Sequence, residues 1–376
     1  MTTIRVSSEN ETVDAVRAAR AAKRTLEIAG RGTKRGLGRR VKADDGLDCS
    51  GMSGIVSYEP EELVLTCKAN TPIAEIVEAV THANQQLGFA PAEWGPLYGA
   101  PAEEATMAGV LSADACGSAA VRYGGARDQL LGYRAVNGWG EAYKGGGKVV
   151  KNVTGFDLPK LICGAFGTLG VLTEVTLRVF PKPRSVAVLR IDDLDARSGL
   201  ALLRRLWASP LEATGLGFLP GEGAFVRLDG AEEPLAQKIA ALRALLPECA
   251  IEDGDPTAFD RIGNGAMFAD SGLPVWRIAV PPAHAARLIE AVEPARWCAD
   301  WAGGVLWLST ETETARLHAV AATVDGRGVL MRASEAARRE DVFPPLDTAR
   351  LRITRAVKAA FDPLHLFNPG RMHEGI

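Results

Sequence analysis

Hydrophobic residues recur every three to four positions in several stretches of the chain, and this spacing predicts amphipathic helices. In the N-terminal half we expect such helices at residues 11–23 and from Thr71 onward, with Pro72 in the first turn. A shorter helix is predicted at residues 158–163, where Asp157 suits the N-cap and Gly164 the end.

Alternating apolar and polar positions predict half-buried strands elsewhere in the same half. From Val171 onward alternate side chains share one face of such a strand, which Pro181 ends. Asn137 and Gly138 predict a hairpin turn between two further strands, at residues 131–136 and 142–144. The remaining strands of this half are expected at residues 25–29, 54–57 and 63–68.

Residues 184–334 mix both patterns without a strict strand–helix–strand rhythm. This mixture favours an α+β domain on an antiparallel sheet. Its strands are predicted at residues 186–191, 215–219, 224–228, 275–280, 304–308 and 328–332, and its helices at residues 200–207, 234–246, 283–292 and 312–322.

The length and composition bound the class of protein. A chain of 376 residues has room for two or three domains, and 47% hydrophobic with 24% charged residues is ordinary for a globular protein. A net charge of -3 argues against a nucleic-acid-binding protein, whose binding face would be basic. We find no apolar run of membrane-spanning length and no signal peptide, and we expect a cytoplasmic protein. Peripheral attachment to the inner face of a membrane through partner subunits is left open.

The cysteines and histidines do not suggest a metal site. The six cysteines lie far apart without a C-x-x-C pair, and the five histidines form no H-x-H or H-E-x-x-H group. We therefore expect reduced thiols and no bound metal.

A glycine-rich loop with three cationic side chains follows the strand predicted at residues 25–29. Glycine lets backbone amides converge on an anion and the cations add positive charge, so this loop suits a pyrophosphate. A flexible basic loop is the alternative, since the glycine spacing fits neither the Rossmann fingerprint nor a P-loop. The loop reads Gly30-Arg31-Gly32-Thr33-Lys34-Arg35-Gly36-Leu37-Gly38.

Two further stretches contain small residues that would let backbone approach a flat ligand. The first is residues 105–118, which are followed by Arg122, Arg127 and Asp128; a surface ion pair is an equal interpretation of these charges. The second is the tight loop at residues 167–170, which taken alone is an ordinary turn between a helix and a strand.

Six motifs occur in a fixed order along the N-terminal half. They are G-R-G-T-K-R-G at 30–36, S-Y-E-P-E-E-L at 57–63, A-T-M-A-G-V-L-S-A-D-A-C-G-S at 105–118, R-Y-G-G-A-R-D at 122–128, V-V-K-N-V-T-G-F-D-L-P-K at 149–160 and G-T-L-G-V-L-T-E at 167–174. In this order they resemble the FAD-binding domain of the vanillyl-alcohol oxidase / p-cresol methylhydroxylase type, over about residues 1–182.

The resemblance implies an α+β fold in which two subdomains grip an extended FAD. The subdomains would span about residues 1–55 and 56–182, followed by an α+β cap domain at 183–334 and a C-terminal segment at 335–376 that returns to the flavin. No histidine lies in the loop at residues 30–38, where some relatives attach flavin covalently, so noncovalent FAD is expected. Asp114 stands where many relatives carry asparagine.

The resemblance also implies which residues bind FAD. Residues 30–36 would hold the pyrophosphate, and residues 167–172 would contact the nucleotide mainly through backbone. The small residues of the third motif would lie along the flavin and its ribityl chain. The implied set is Gly30, Arg31, Gly32, Thr33, Lys34, Arg35, Gly36, Gly109, Cys116, Gly117, Ser118, Tyr123, Gly124, Gly167, Thr168, Gly170, Val171, Leu172 and Asn368.

The tail carries a narrower resemblance. A helix, a loop and an Asn-Pro-Gly turn are all that local chemistry requires there. The end of the tail is nevertheless similar to the F-D-P-x-x-x-x-N-P-G-[RK] ending of FAD-linked 2-hydroxyacid dehydrogenases, which returns to the flavin and makes Asn368 and Arg371 candidates for the ring edge. The segment is Phe361-Asp362-Pro363-Leu364-His365-Leu366-Phe367-Asn368-Pro369-Gly370-Arg371.

Arg277 and Arg332 are single basic residues in apolar predicted strands. Each is either a cation at a strand end that reaches solvent or, together with Arg371, a candidate clamp for a small carboxylate substrate. Trp297, Trp301 and Trp307 are more typical of a core than of a cofactor site.

The V-W-R-I-A-V-P-P and W-A-G-G-V-L-W-L runs and the overall length are similar to those of the FAD-binding E subunits of glycolate oxidase. This resemblance implies a FAD-dependent 2-hydroxyacid oxidoreductase subunit that oxidises glycolate to glyoxylate with a catalytic flavoprotein subunit and an iron–sulfur subunit. The chain lacks the histidine–glycine metal motif of the catalytic subunits and shows no recognisable base. The alternatives are a self-sufficient dehydrogenase of the D-lactate type and a non-catalytic subunit for electron relay or assembly.

Overall fold

A computed structural model describes residues 2–148, 156–339 and 341–376 of the chain. The motif at residues 149–160 therefore lies mostly outside the described residues. Two compact units divide the chain: unit 1 comprises Met1–Ala115, Gly125–Pro181 and Pro345–Ile376, and unit 2 comprises Cys116–Gly124 and Lys182–Pro344. Unit 2 thus includes residues 116–124 and 335–344, which the sequence places with the FAD-binding domain and with the tail.

Strands and short to medium helices alternate irregularly along the described residues. The strands are β1 (Thr3–Arg5), β2 (Leu26–Ala29), β3 (Asp45–Asp48), β4 (Ile55–Glu59), β5 (Val64–Lys68), β6 (Gln85–Gln86), β7 (Leu130–Val136), β8 (Ala142–Gly146), β9 (Val171–Arg178), β10 (Phe180–Pro181), β11 (Ser185–Ile191), β12 (Gly215–Leu219), β13 (Gly223–Gly230), β14 (Ile251–Asp253), β15 (Val275–Ala279), β16 (Arg296–Asp300), β17 (Val305–Ser309) and β18 (Arg327–Arg332). The helices are α1 (Glu9–Ala22), α2 (Ile73–His82), α3 (Met107–Ala113), α4 (Ala120–Tyr123), α5 (Ala126–Gln129), α6 (Leu158–Ile162), α7 (Ala196–Trp207), α8 (Glu232–Leu245), α9 (Ala258–Gly263), α10 (Ala285–Val292), α11 (Thr314–Ala322) and α12 (Thr348–Phe361).

Unit 1 contains a parallel sheet and an antiparallel sheet. The parallel sheet has the order β1-β3-β2, and the antiparallel sheet has the order β4-β5-β9-β7-β8. A short pair, β10 with β6, completes the described sheets of this unit. Helix α1 covers the parallel sheet because its buried face, which includes Val16, packs in one cluster with Leu26 and Leu47.

The C-terminal tail packs beside β2. Leu366 and Phe367 are buried in the same cluster as Leu26, and Phe367 forms a parallel bridge with Leu26. Leu26 N donates to Leu366 O over 2.7 Å, and Asn368 N donates to Leu26 O over 2.9 Å. The tail thereby extends the parallel sheet at its β2 edge.

Unit 2 contains helices packed on one long sheet. The strand order is β14-β11-β13-β12-β16-β17-β15-β18, and the described pairings are all antiparallel. Trp307 is 1% exposed and Trp297 is 9% exposed, so both lie in the core of this unit. An α+β fold with an antiparallel sheet in this part of the chain confirms the predicted fold class.

The pattern of alternation in β9 is only partly correct. The sequence places Thr176 on the polar face with Glu174 and Arg178, but Thr176 is buried and its hydroxyl is 3.0 Å from that of Thr66 on β5. A threonine pair that satisfies its own hydroxyls can be buried between neighbouring strands, which periodicity does not show.

No helix in the described part of the chain is long and apolar enough to cross a membrane.

Candidate functional site

An open cleft in unit 1 lies where β2 ends. Its empty volume is about 810 Å³ when the mouth is included. The glycine loop, the start of α3, the loop before β9 and the tail contribute its lining. The sequence-predicted residues that line the cleft are Gly30, Arg31, Gly32, Thr33, Lys34, Arg35, Gly109, Gly167, Gly170, Val171, Leu172, Asn368 and Arg371.

Two positions in this loop require glycine, one because of its backbone conformation and the other because of a close contact. Gly32 has a φ of +74°, in the left-handed region that side chains rarely adopt. A Cβ atom at Gly30 would lie 2.3 Å from Asn70 Oδ1, so the loop passes too close to Asn70 for a side chain. The loop therefore exposes backbone to the cleft at the point where β2 ends.

Lys34 places at the cleft a buried cation that has no hydrogen-bond partner among the described residues. The residue is 9% exposed, and among the described residues no acceptor lies within hydrogen-bond distance of its Nζ. A Cβ atom added at Gly109 would lie 3.8 Å from this Nζ. Burial lowers the pKa of Lys34 to about 8, and the nearby Glu93 carboxylate opposes this shift only in part. A buried ammonium without a hydrogen-bond acceptor is costly, so the site fits an anionic ligand such as a pyrophosphate.

Asn70 and Thr106 also line the cleft, and neither was among the predicted site residues. Thr106 is the N-cap of α3, where its Oγ1 accepts from Gly109 N over 3.3 Å and donates to Asn70 Oδ1 over 3.4 Å. The signal for Thr106 was a capping residue ahead of a run of small helix formers. Asn70 had no comparable signal, because it follows β5 in an ordinary connection.

Asp114 ends α3 in the left-handed conformation, with a φ of 49°. Asparagine and aspartate tolerate this conformation better than most side chains, which accounts for either residue at this position. The Cys163 thiol donates to Asp114 Oδ1 over 3.5 Å.

The tail residues contact the backbone of the cleft loops. Asn368 Oδ1 accepts from Ile28 N over 2.8 Å, and its Nδ2 donates to Phe166 O over 2.8 Å. Arg371 Nη2 donates to Lys34 O over 3.0 Å. Both polar atoms of the Asn368 side chain therefore bond protein backbone.

Two predicted cofactor residues in unit 1 are not among the described residues that line the cleft. A Cβ atom at Gly36 would lie 2.3 Å from the Tyr98 ring, so this glycine allows close packing behind the loop. Thr168 Oγ1 donates to Ala165 O over 2.7 Å within its own turn.

Cys116, Gly117, Ser118, Tyr123 and Gly124 belong to unit 2. Ser118 Oγ donates to Asp300 Oδ2 over 2.8 Å, and Trp301 Nε1 donates to Gly117 O over 3.1 Å. The residues at 123 and 124 end helix α4.

Asp300 is a buried carboxyl that the sequence did not reveal. It is 2% exposed, and burial raises its pKa to about 6, although the hydrogen bond from Ser118 acts in the opposite direction. The only sequence signal was an aspartate beside Trp301, which does not distinguish a buried carboxyl from a surface one. Asp300 therefore anchors the 116–118 segment within unit 2.

The two arginines of the predicted carboxylate clamp in unit 2 have different surroundings. The Arg277 guanidinium lies over the Trp301 ring at 5.1 Å and over the Trp307 ring at 6.0 Å. Arg332 donates from Nη1 to Ala269 O over 2.6 Å and from Nη2 to Ser271 O. Arg332 is thus engaged by backbone carbonyls, whereas Arg277 rests on an aromatic surface.

The fold is the FAD-binding fold of the p-cresol methylhydroxylase type. A family model described as a FAD binding domain matches residues 2–146. The solved structure of p-cresol methylhydroxylase with substrate bound aligns with a TM-score of 0.74 at 15% identity, covering 99% of this chain and 88% of that one. Alkyldihydroxyacetonephosphate synthase aligns with a TM-score of 0.70 at 14% identity, covering 98% of this chain and 76% of that one.

Sequence similarity is more specific than the fold. Glycolate oxidase subunit GlcE of Escherichia coli (strain K12) is 33% identical over 359 residues, which cover 93% of each chain. The chain therefore belongs to the glycolate oxidase subunit GlcE family. A D-lactate dehydrogenase of Archaeoglobus fulgidus is 41% identical, but over only 90 residues that cover 24% of this chain and 20% of that enzyme.

These findings confirm three predictions from the sequence. The chain is a member of a FAD-dependent oxidoreductase family, its fold is the expected α+β type, and its cofactor is FAD. The Lys34 ammonium, which has no hydrogen-bond partner among the described residues, and the glycine loop are chemically suited to that cofactor because FAD carries an anionic pyrophosphate.

Proposed function

We propose that unit 1 holds FAD noncovalently and that the loop at residues 30–36 binds its pyrophosphate. The observation that carries this proposal is Lys34, a buried cation at the cleft for which no hydrogen-bond partner is found among the described residues. The arginines Arg31 and Arg35 add positive charge to the same lining. An anion at this position would neutralise the buried charge and relieve its cost.

The remaining cleft residues would hold the rest of the cofactor. Gly167, residues 170–172, Asn70 and Thr106 line the same cleft and supply hydrogen-bonding groups. FAD, when bound, supplies a two-electron acceptor for oxidation at carbon. Contacts of FAD with Gly36, Cys116, Gly117, Ser118, Tyr123, Gly124 and Thr168 stay predictions.

We further propose that the chain takes part in oxidising glycolate to glyoxylate, within a complex that includes a catalytic flavoprotein subunit and an iron–sulfur subunit. The support is its membership of the GlcE family, named for a glycolate oxidase subunit. A cytoplasmic location, with any membrane attachment through these partners, is part of the same proposal.

The cleft lining favours a shared reaction over a self-sufficient enzyme. Oxidation of a 2-hydroxyacid needs a base for the hydroxyl proton. Of the described residues that line the cleft, none is Asp, Glu, His or Tyr. Cys49 lines it, but burial raises the pKa of this thiol to about 12 and keeps it protonated. Unit 1 thus offers a cofactor site in which the titratable Lys34 amine is assigned to the pyrophosphate and no carboxylate, imidazole or phenol is among the described lining residues. This lining also favours the second candidate function, an electron-relay or assembly subunit.

The three arginines predicted to bind substrate have different contacts in the structure. Arg277 lies over the Trp301 and Trp307 rings, and its positive charge acts to lower the pKa of the buried Asp300 carboxyl; it stays a candidate for a carboxylate clamp in unit 2. Arg332 already donates to two backbone carbonyls, so it is suited to holding its strand end. Arg371 donates to Lys34 O, and we assign it to the FAD loop; its role in a substrate clamp stays a prediction.

The visible spectrum of the purified chain, followed by anaerobic addition of glycolate, tests these proposals. We expect a flavin spectrum that stays oxidised until the catalytic flavoprotein and iron–sulfur subunits are added. Bleaching by glycolate alone would identify a self-sufficient dehydrogenase. A colourless chain that does not take up added FAD would contradict the cofactor site itself.

A further inference from the structure

The side chains of the C-terminal tail bond backbone at three points of the cleft, two in β2 and the glycine loop that follows it and one in the loop before β9. Asn368 reaches the end of β2 at Ile28 N and the loop before β9 at Phe166 O, each over 2.8 Å. Arg371 reaches the glycine loop at Lys34 O. The end of β2 runs directly into the glycine loop, whereas the loop before β9 is more than 130 positions further along the chain, and the tail is bonded to both regions.

Lys358 adds a fourth connection from helix α12. It is fully buried, and among the described residues of this helix it is the one buried side chain. Its Nζ donates to Thr168 O over 2.7 Å, to Asp362 Oδ2 over 2.7 Å and to Phe367 O over 3.1 Å. All three hydrogens of the ammonium therefore have acceptors.

Asp362 completes the buried pair. Its Oδ1 accepts from Leu366 N over 2.9 Å and its Oδ2 from Phe367 N over 2.8 Å. A buried ion pair is seldom more stabilising than apolar residues of the same size, but a fully bonded polar network specifies one geometry. This network holds the tail in place. Through Thr168 O it also holds the loop before β9, which contributes to the lining of the cleft.

We propose that Lys358, Asp362, Asn368 and Arg371 form a C-terminal clasp that positions the FAD loops. The clasp acts on backbone groups of the loops, so FAD affinity depends on side chains whose bonds are to protein. This inference rests on the proposed FAD site and adds positioning residues to it. It also gives the tail motif a different role from that of a flavin contact.

Backbone conformation explains how the Asn368 amide reaches two segments at once. Asn368 has a φ of 44°, a left-handed conformation that asparagine tolerates. Gly167 faces it with a φ of 68°, and a Cβ atom at Gly167 would lie 2.7 Å from Asn368 Nδ2. The amide thus spans from β2 to a loop that approaches it closely only because residue 167 lacks a side chain.

The test compares Asn368→Gly with His365→Gly in the full chain. Glycine keeps the left-handed backbone at both positions, since His365 has a φ of 53°. N368G removes two hydrogen bonds to the cleft loops, whereas in the described structure the His365 side chain has no hydrogen bond to them. We expect the Kd for FAD to rise about tenfold in N368G and to stay within about twofold in H365G.

Two readouts separate positioning from general stability. FAD titrations are run well below the melting temperature of each apo variant, with the folded fraction checked by circular dichroism. Hydrogen exchange at residues 28–37 and 166–172 is measured without FAD, and we expect it to accelerate in N368G but not in H365G.

The outcomes are distinguishable. If wild type binds FAD and N368G binds it equally well, the clasp is overturned while the FAD site stands, even when the melting temperature of N368G falls. If wild type takes up no FAD, the FAD site is overturned, and the clasp falls with it as a device for cofactor binding. Faster exchange in both loops together with a weaker Kd in N368G supports the clasp.

Discussion

Because the Lys34 ammonium is buried, FAD binding should be coupled to protonation of this side chain. Its pKa of about 8 means that the chain without cofactor loses this charge as the pH rises above 8. An anionic pyrophosphate would favour the charged form, so binding would take up a proton there. We expect FAD affinity to fall above about pH 8, by up to about tenfold per pH unit, in titrations between about pH 7 and 10.

The matched controls are Lys34→Met and Lys68→Met. Lys68 is an exposed lysine of β5 in the same unit and is not among the described residues that line the cleft. K34M should bind FAD weakly at neutral pH with a flat profile, and K68M should follow wild type. A steep profile that persists in K34M would assign the proton to another group.

The stability of the chain without FAD should depend on pH in the opposite direction. The folded pKa of Lys34, about 8, lies below the usual lysine value of about 10.4 in an unfolded chain. The unfolded state therefore binds more protons between these values, and the free energy of unfolding should rise across this window. K34M should lack this rise, which denaturant unfolding at about pH 8 and about pH 10 would show.

The sequence predicted the site role of some residues but not the bonding partners of others. The glycine loop and Lys34 were predicted because strand, glycines and cations are adjacent in the chain. The bonding of Asn368 was not, because its partner Ile28 is 340 positions away and only the fold brings the two together. Arg332 was recognised as unusual, yet its carbonyl partners lie in an irregular segment that has no recognisable sequence pattern.

The glycine loop depends on a backbone conformation at Gly32 that a branched side chain would prevent. We expect Gly32→Val to abolish FAD retention in a folded chain, since a β-branched residue at a φ of +74° is strained. Flavin content after purification and circular dichroism measure the two effects separately.

Gly221→Val is the matched control for this loop. Gly221 lies in unit 2 with a φ of +81°, and a Cβ atom there would meet nothing within 4 Å. The backbone strain is similar, so G221V should lose stability but retain FAD. Normal FAD content in G32V would show that the loop does not hold the pyrophosphate.

Helices and strands with clear local sequence signals were predictable, whereas strands that form because neighbouring strands pair with them were not. The short helix α6 begins at Leu158 after Asp157, whose carboxylate accepts from Lys160 N, as expected. Strand β3 reads D-G-L-D and has little strand propensity, but it is paired on both sides by β1 and β2. Strand β16 was not predicted either. Its tryptophan, Trp297, indicated a core position but not whether a helix or a strand contains it.

The chain divides into two units with their own sheets, and the residues predicted from the sequence to bind FAD belong to both units. Most predicted FAD residues line the cleft of unit 1, whereas Cys116, Gly117 and Ser118 belong to unit 2. Ser118 is anchored there by Asp300, a buried partner that chain order did not indicate. The order of motifs revealed the family and fold class, but it did not show which unit each motif joins.

Hydrogen exchange of the full chain with FAD or with ADP tests this division. ADP shares the phosphates and adenosine of FAD but lacks the flavin, so both ligands should protect residues 28–37. Only FAD should protect residues 116–124, if Cys116, Gly117 and Ser118 contact the flavin as predicted. Residues 232–253 of unit 2, in helix α8 and strand β14, serve as the internal reference and should not change. Equal exchange at residues 116–124 with the two ligands would mean that the segment serves unit 2 through Asp300 and Trp301 and does not touch the flavin.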